Sequence, residues 1–120
     1  MLEGVAASDR HVLEAVEQAT GVQIERLRVA GGARAGLWGQ IKADMLGLEL
    51  EATAEQPGTL GAAVLAGVAA GVWPDVDAAS RAVTRVSSRI EPNPALRATY
   101  DAVYETYRAL YPRLRDLWGR

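Results

Sequence analysis

Between Arg28 and Trp38 the chain reads RVAGGARAGLW: an extended apolar segment meets two adjacent glycines, an arginine, a third glycine and the start of a helical pattern. Residue types in that order suit one chemistry. A strand that ends in glycines just before a helix brings unpaired backbone N–H groups and the positive end of a helix dipole to one place, where a phosphate is bound. Glycine matters because a side chain would hold the anion away from the backbone. For a bare Gly31-Gly32 pair, a tight turn with no ligand is the simpler account.

Two phosphate motifs can be tested against the stretch. The P-loop pattern G-x-x-x-x-G-K-[ST] finds its outer glycines in Gly31 and Gly36, but Leu37 and Trp38 stand where Lys and Ser or Thr are needed, so it fails. The dinucleotide fingerprint G-x-G-x-x-G finds Gly31, Ala33 and Gly36, a near miss. With Glu49 or Glu51 as the acid that holds a ribose, an NAD(P)-binding fragment stays open as an alternative. A third reading is an assembly domain whose glycines only turn the chain.

Other side chains offer less. His11, the single histidine, has no second His or Cys to share a metal with, and it is expected to face solvent. Asp44 and Gln40, one turn apart, read as a structural pair, with an ion ligand and a nucleotide contact as the functional options. Trp38 and Trp73 read as core rather than as an adenine border. Tyr100, Tyr104, Tyr107 and Tyr111 are expected to pack the last helix. Arg81, Arg85 and Arg89, at four-residue spacing, offer a small basic stripe as the functional option, and a solvated face is the preferred reading.

The elements that must position the glycine stretch follow from periodicity. Leu2 to about Ala19 has helical spacing, stopped by Gly21, and Ile24–Ala30 is a short strand. Gly36–Leu46 is a helix with Leu37, Trp38, Ile41 and Met45 on one face, and Gly47 ends it. LELEA alternates strictly, with Leu48, Leu50 and Ala52 opposite Glu49 and Glu51. Strand, glycine turn, helix and strand make a βαβ unit with two parallel strands, and the two glutamates suit a strand near a sheet edge. EQPGT is a turn, Leu60–Ala70 a small-residue helix, Asp75 the N-cap of another, and RVSSRIEPNP extended or irregular. The final helix runs from Leu96, and Pro112 is expected to kink or restart it.

Composition bounds the function. The 120 residues suffice for one domain, 1–120, and carry a formal charge of -2 with no cysteine, which excludes thiolate metal sites, disulfides and a cysteine nucleophile. Residues 1–60 hold nine acids against five bases and residues 61–120 six against eight, so no basic footprint for nucleic acid stands out. The apolar run Thr59–Trp73 is too short to cross a bilayer, and no signal peptide is visible, so a cytoplasmic protein without membrane contact is expected. Two strands are a poor nucleus for a parallel sheet. That and the uncapped first helix predict a chain cut from something longer, with its missing strands upstream of Met1.

Beyond these readings, GGARAGLWGQIKADMLGLELE followed by PGTLGAAVLAGVAAGVW strongly resembles the carboxy-terminal domain of FGGY carbohydrate kinases, especially the xylulokinase-like branch. LEGVA upstream and the helix YDAVYETYRALYPRL also look like that family, so the likeness covers nearly all of the chain but only the last quarter of a typical member. The resemblance implies an α/β, actin-like (ribonuclease H-like) ATPase fragment, helix-rich with a small parallel sheet. It implies ATP or ADP with Mg²⁺ in an interdomain cleft and transfer of the γ-phosphate to a sugar or polyol hydroxyl. By that likeness Gly31, Gly32 and Ala33 lie against the phosphates or ribose, and Arg34, Gly36 and Leu37 border the adenosine. Ala30 departs from the pattern, standing where many members have the first of three glycines. The catalytic aspartate and sugar contacts belong to parts of the family absent here, so the isolated chain is expected to be inactive and, with its sheet edge open, to self-associate.

Overall fold

The computed structural model describes residues 1–34, 36–53 and 57–118; for 33, 34, 57, 116 and 118 it describes the backbone alone. Helix α1 (Leu2–Thr20) leads to β1 (Arg26–Val29), a 3-10 turn (Gly31–Arg34), α2 (Gly36–Leu46) and β2 (Glu49–Thr53). Helices α3 (Pro57–Ala69) and α4 (Val76–Val83), strand β3 (Val86–Ile90), a short 3-10 turn (Pro94–Leu96) and α5 (Arg97–Trp118) complete the order.

Local chemistry sets several boundaries. Gly21 closes α1 in the left-handed conformation, at φ 70°, and Asp75 caps α4 by accepting the Ala78 amide at 2.7 Å. Pro112 does not restart α5, which continues through it as one element; against expectation, Pro57 to Thr59 of the predicted turn belong to α3, while Glu55 and Gln56 lie outside the described residues.

The sheet corrects the expectation in two ways. It is mixed rather than parallel: β1 pairs parallel with β2, Leu27 opposite Leu50, while β3 pairs antiparallel on the other side, Ile90 opposite Leu50. The third strand is the segment read as extended or irregular. β2 is therefore the central strand, not an edge. Glu51 is tolerated there because arginines from both neighbours reach it: Arg89 Nη2 at 3.2 Å, Arg26 Nη1 at 3.6 Å and Arg28 Nε at 3.6 Å. A buried carboxylate needs such partners. Arg89 thus sits on a strand, Arg81 on α4 and Arg85 between them, and all three are exposed, as the solvated reading expects.

The alternation of β2 does sort its faces. Leu50 packs with Ala43 and Leu46 of α2, flanked by Leu13, Leu27, Val29, Leu48 and Ile90. A second cluster joins α1, α2 and α5: Ala6, Ala7, Ile41, Met45 and Tyr104 are buried, with Trp38, Tyr100 and Tyr107 against them. Tyr111, by contrast, is 65% exposed. Trp73 packs on Gly67 of α3, where a Cβ would overlap its ring.

Candidate functional site

Strand β1 delivers the chain to the glycine turn, and β2, α1 and α5 hold α2 so that its first turn opens beside it. Gly31 and Gly36 both have positive φ, 67° and 69°, conformations that L side chains adopt only with strain. Gly32 does not. Among the described residues, a Cβ built at any of the three meets no heavy atom within 4 Å. Leu37 is 72% exposed at the start of α2, and that first turn carries no acid to repel an anion. Ala33 and Arg34 belong to the 3-10 turn by backbone, and their side chains lie outside the described residues.

Gly36, Leu37 and Gln40 form one wall of a cleft of about 530 Å³, and Ser88, Arg89, Ile90 and Glu91 form the other. Sequence reasoning missed this second wall. Its signal is weak, since VSSRI carries apolar residues only at its ends and its first four residues are exposed. Gln40 and Asp44 pair as expected, Gln40 Nε2 to Asp44 Oδ1 at 2.9 Å. Their reach goes further: Gln40 Nε2 also donates to the Glu91 carbonyl at 2.9 Å, and the Asn93 amide donates to the same Asp44 oxygen at 2.7 Å. Asp44 is 4% exposed, so these bonds offset its burial. A second, apolar cleft of about 390 Å³ lies between α3, α4 and the sheet at Arg28 and Thr53.

The remaining candidates play structural parts. His11 is exposed, as expected, and sets its ring edge-on to Tyr107 at 6.3 Å. Lys42 Nζ lies 4.8 Å from the Trp38 ring centre and 2.7 Å from Asp9. Arg10 ties α1 to the rest, bonding Asp101 at 2.7 Å, Glu14 at 3.2 Å and the Met45 carbonyl at 3.3 Å while stacking on Tyr104. Among the described residues, no three His, Asp or Glu side chains gather to hold a metal, and no helix is long and apolar enough to cross a membrane.

Residues 1–70 match the family model described as the C-terminal domain of the FGGY family of carbohydrate kinases. The chain belongs to that family. An autoinducer-2 kinase of Salmonella paratyphi A is 36% identical over 107 residues, 88% of this chain and 20% of that protein. A glycerol kinase of Listeria welshimeri is 46% identical over 76 residues, 62% of this chain and 15% of its own. Among solved structures, a xylulose kinase from Rhodospirillum rubrum superposes with TM-score 0.77 at 32% identity, covering 99% of this chain and 24% of that one. A kinase from Brucella ovis, described as a xyloylose kinase, gives 0.80 at 34%, covering 97% and 24%. The fold is therefore that of an α/β actin-like ATPase domain, and the chain spans about a fifth of the length of the curated relatives it matches. These relatives lend no support to a dinucleotide-binding reading.

Proposed function

We propose that this chain is the nucleotide-holding, carboxy-terminal part of an ATP-dependent carbohydrate kinase, folded as a single domain. The backbone of Gly31, Gly32 and Ala33 receives the phosphates of ATP or ADP, and Arg34, Gly36 and Leu37 border the nucleoside. The observation that carries this is that, among the described residues, no atom lies within 4 Å of a Cβ built on any of the three glycines around the N-terminus of α2.

Division of labour follows from the chemistry. Phosphoryl transfer asks the protein for positioned phosphates, a metal to offset developing charge and a base for the acceptor hydroxyl. The glycine turn supplies only the first. Mg²⁺ would enter with the nucleotide and offset the charge of its phosphates, and its protein ligands and the base would lie in the rest of a longer kinase. The acceptor is a sugar or polyol; a xylulose-like sugar is favoured by the two structural neighbours above 30% identity. Alone, the chain transfers no phosphate, and its site of action is the cytoplasm.

A nuclear magnetic resonance titration of the ¹⁵N-labelled chain with MgADP tests the reading. Saturable shifts confined to residues 31–40 are expected, with a dissociation constant on the order of 1 mM because one wall of a two-domain cleft holds only part of the ligand. Shifts with NADH but not MgADP, or none with either, would overturn it.

A further inference from the structure

Gln40 lines the cleft, yet its amide is not free to turn. Both groups facing its Nε2, the Asp44 carboxylate and the Glu91 carbonyl, can only accept, so the NH₂ is fixed toward them at 2.9 Å each. Asp44 is itself held by the Asn93 amide. The NH₂ has two hydrogens and both are used. What Gln40 has left for the cleft is its Oε1, an acceptor. Gly36, Gln40 and Asp44 fall at i, i+4 and i+8 along one stripe of α2, which puts Gln40 about one turn, about 6 Å along the axis, beyond the glycine that opens the helix.

We infer that Gln40 is a specificity-determining residue whose Oε1 accepts a hydrogen bond from a donor on the nucleoside part of the ligand, either a ribose hydroxyl or an exocyclic amino group. The assignment rests on the proposed nucleotide site: with phosphate at the N-terminus of α2, the group one turn along the same stripe is nucleoside, not phosphate. Asp44 and the Glu91 carbonyl together position Gln40, since both accept from the NH₂ and so leave Oε1 as the end that meets the cleft.

The test is a titration of the ¹⁵N-labelled chain with MgADP and with the magnesium complexes of 2′-deoxy-ADP, 3′-deoxy-ADP and inosine diphosphate, each lacking one donor. One of the three is expected to bind the wild-type chain about fivefold more weakly than ADP, the size of one hydrogen bond. Gln40→Met should weaken ADP about fivefold and leave that analogue unchanged. Equal binding of all four ligands by the wild-type chain, or equal weakening of all four in Gln40→Met, overturns the assignment and leaves the nucleotide site standing. Failure of MgADP itself to shift any resonance overturns both. Should Gln40→Met not fold, the wild-type series decides by itself, together with the shift of the Gln40 side-chain amide pair on ADP binding.

Discussion

The two ends of α2 are built in opposite ways. At the C-terminal end, where the helix dipole is negative, Arg10 donates to the Met45 carbonyl at 3.3 Å and Arg97 to the Leu46 carbonyl at 3.5 Å. Gly47 turns the chain at φ 69°, bonds back to the Ala43 carbonyl at 2.8 Å and lies under the Arg97 guanidinium. At the N-terminal end Gly36 has the same φ, but among the described residues nothing lies within 4 Å of a Cβ built on it. Charge and packing are concentrated at the C-terminal end, and the N-terminal end, where the proposed nucleotide site lies, carries neither an acid nor an arginine contact of this kind. On the proposed reading, stability and binding are separable along one helix of eleven residues.

The largest effect that would break this comparison comes from putting alanine at each end. At Gly47 the left-handed backbone costs about 1–2 kcal/mol, and the displaced Arg97 adds about 1. Gly47→Ala should therefore lose about 2–3 kcal/mol, and Gly36→Ala only the backbone part, about 1–2 kcal/mol. Urea denaturation of the pair reads the difference, and equal losses would mean that Arg97 contributes nothing to the closed end.

Next in size is Arg10→Met, which keeps the apolar stem over Tyr104 but removes three hydrogen bonds, for about 2 kcal/mol. It should also change the acid limb. The hydrogen bond from Arg10 is the main cause holding the Asp101 carboxyl below its ordinary 3.8, with Arg97 adding to it. A depressed carboxylate stabilises the fold fully above that ordinary value and loses its contribution as pH falls through the lower one. Thermal melts between pH 5 and pH 2 are thus expected to fall less steeply in Arg10→Met than in the wild-type chain.

Tyr104→Phe sharpens the same contrast from α5. Burial first, then the 2.7 Å hydrogen bond to Glu14, pushes the Tyr104 phenol up to about 12. For this raised group the stabilisation is complete below pH 10 and disappears as pH climbs toward 12. The variant should cost about 1 kcal/mol at pH 7 and nothing further on that alkaline limb. Tyrosinate absorbance checks it: one of the four tyrosines should ionise near pH 12 in the wild-type chain and be missing in the variant.

How much of this the sequence carries depends on how local the cause is. The bounds of α2, Gly36 and Leu46, could be read directly because a positive-φ glycine lies at each end of an apolar stripe. The alternation of β2 disclosed which face is apolar. It did not disclose that Glu51 would be central, because the arginines that make this tolerable come from β1 and β3, the latter 38 residues away. Half of the candidate site was likewise visible, namely the glycine turn. Its other wall was not, since Gln40 meets Glu91 across 51 residues and neither type announces the contact. Backbone geometry marks its own glycines, whereas pairings across a sheet leave no trace in spacing.

The smallest effect on stability separates the two ends most cleanly. Gly32 lies in the open turn without a positive φ, and a Cβ there meets nothing within 4 Å. Gly32→Val adds bulk to an exposed position with no strain to relieve and no neighbour to displace, so its unfolding free energy should stay within about 0.5 kcal/mol of the wild-type value. If the space over the turn exists for phosphate, the same side chain fills it and holds the anion off the backbone amides, and MgADP binding should weaken at least tenfold. Gly47→Ala should do the reverse, losing stability while retaining nucleotide affinity under conditions where it is folded. A Gly32→Val chain that binds MgADP as the wild-type chain does would mean that the phosphates lie elsewhere, and the open end of α2 would then be a turn and nothing more.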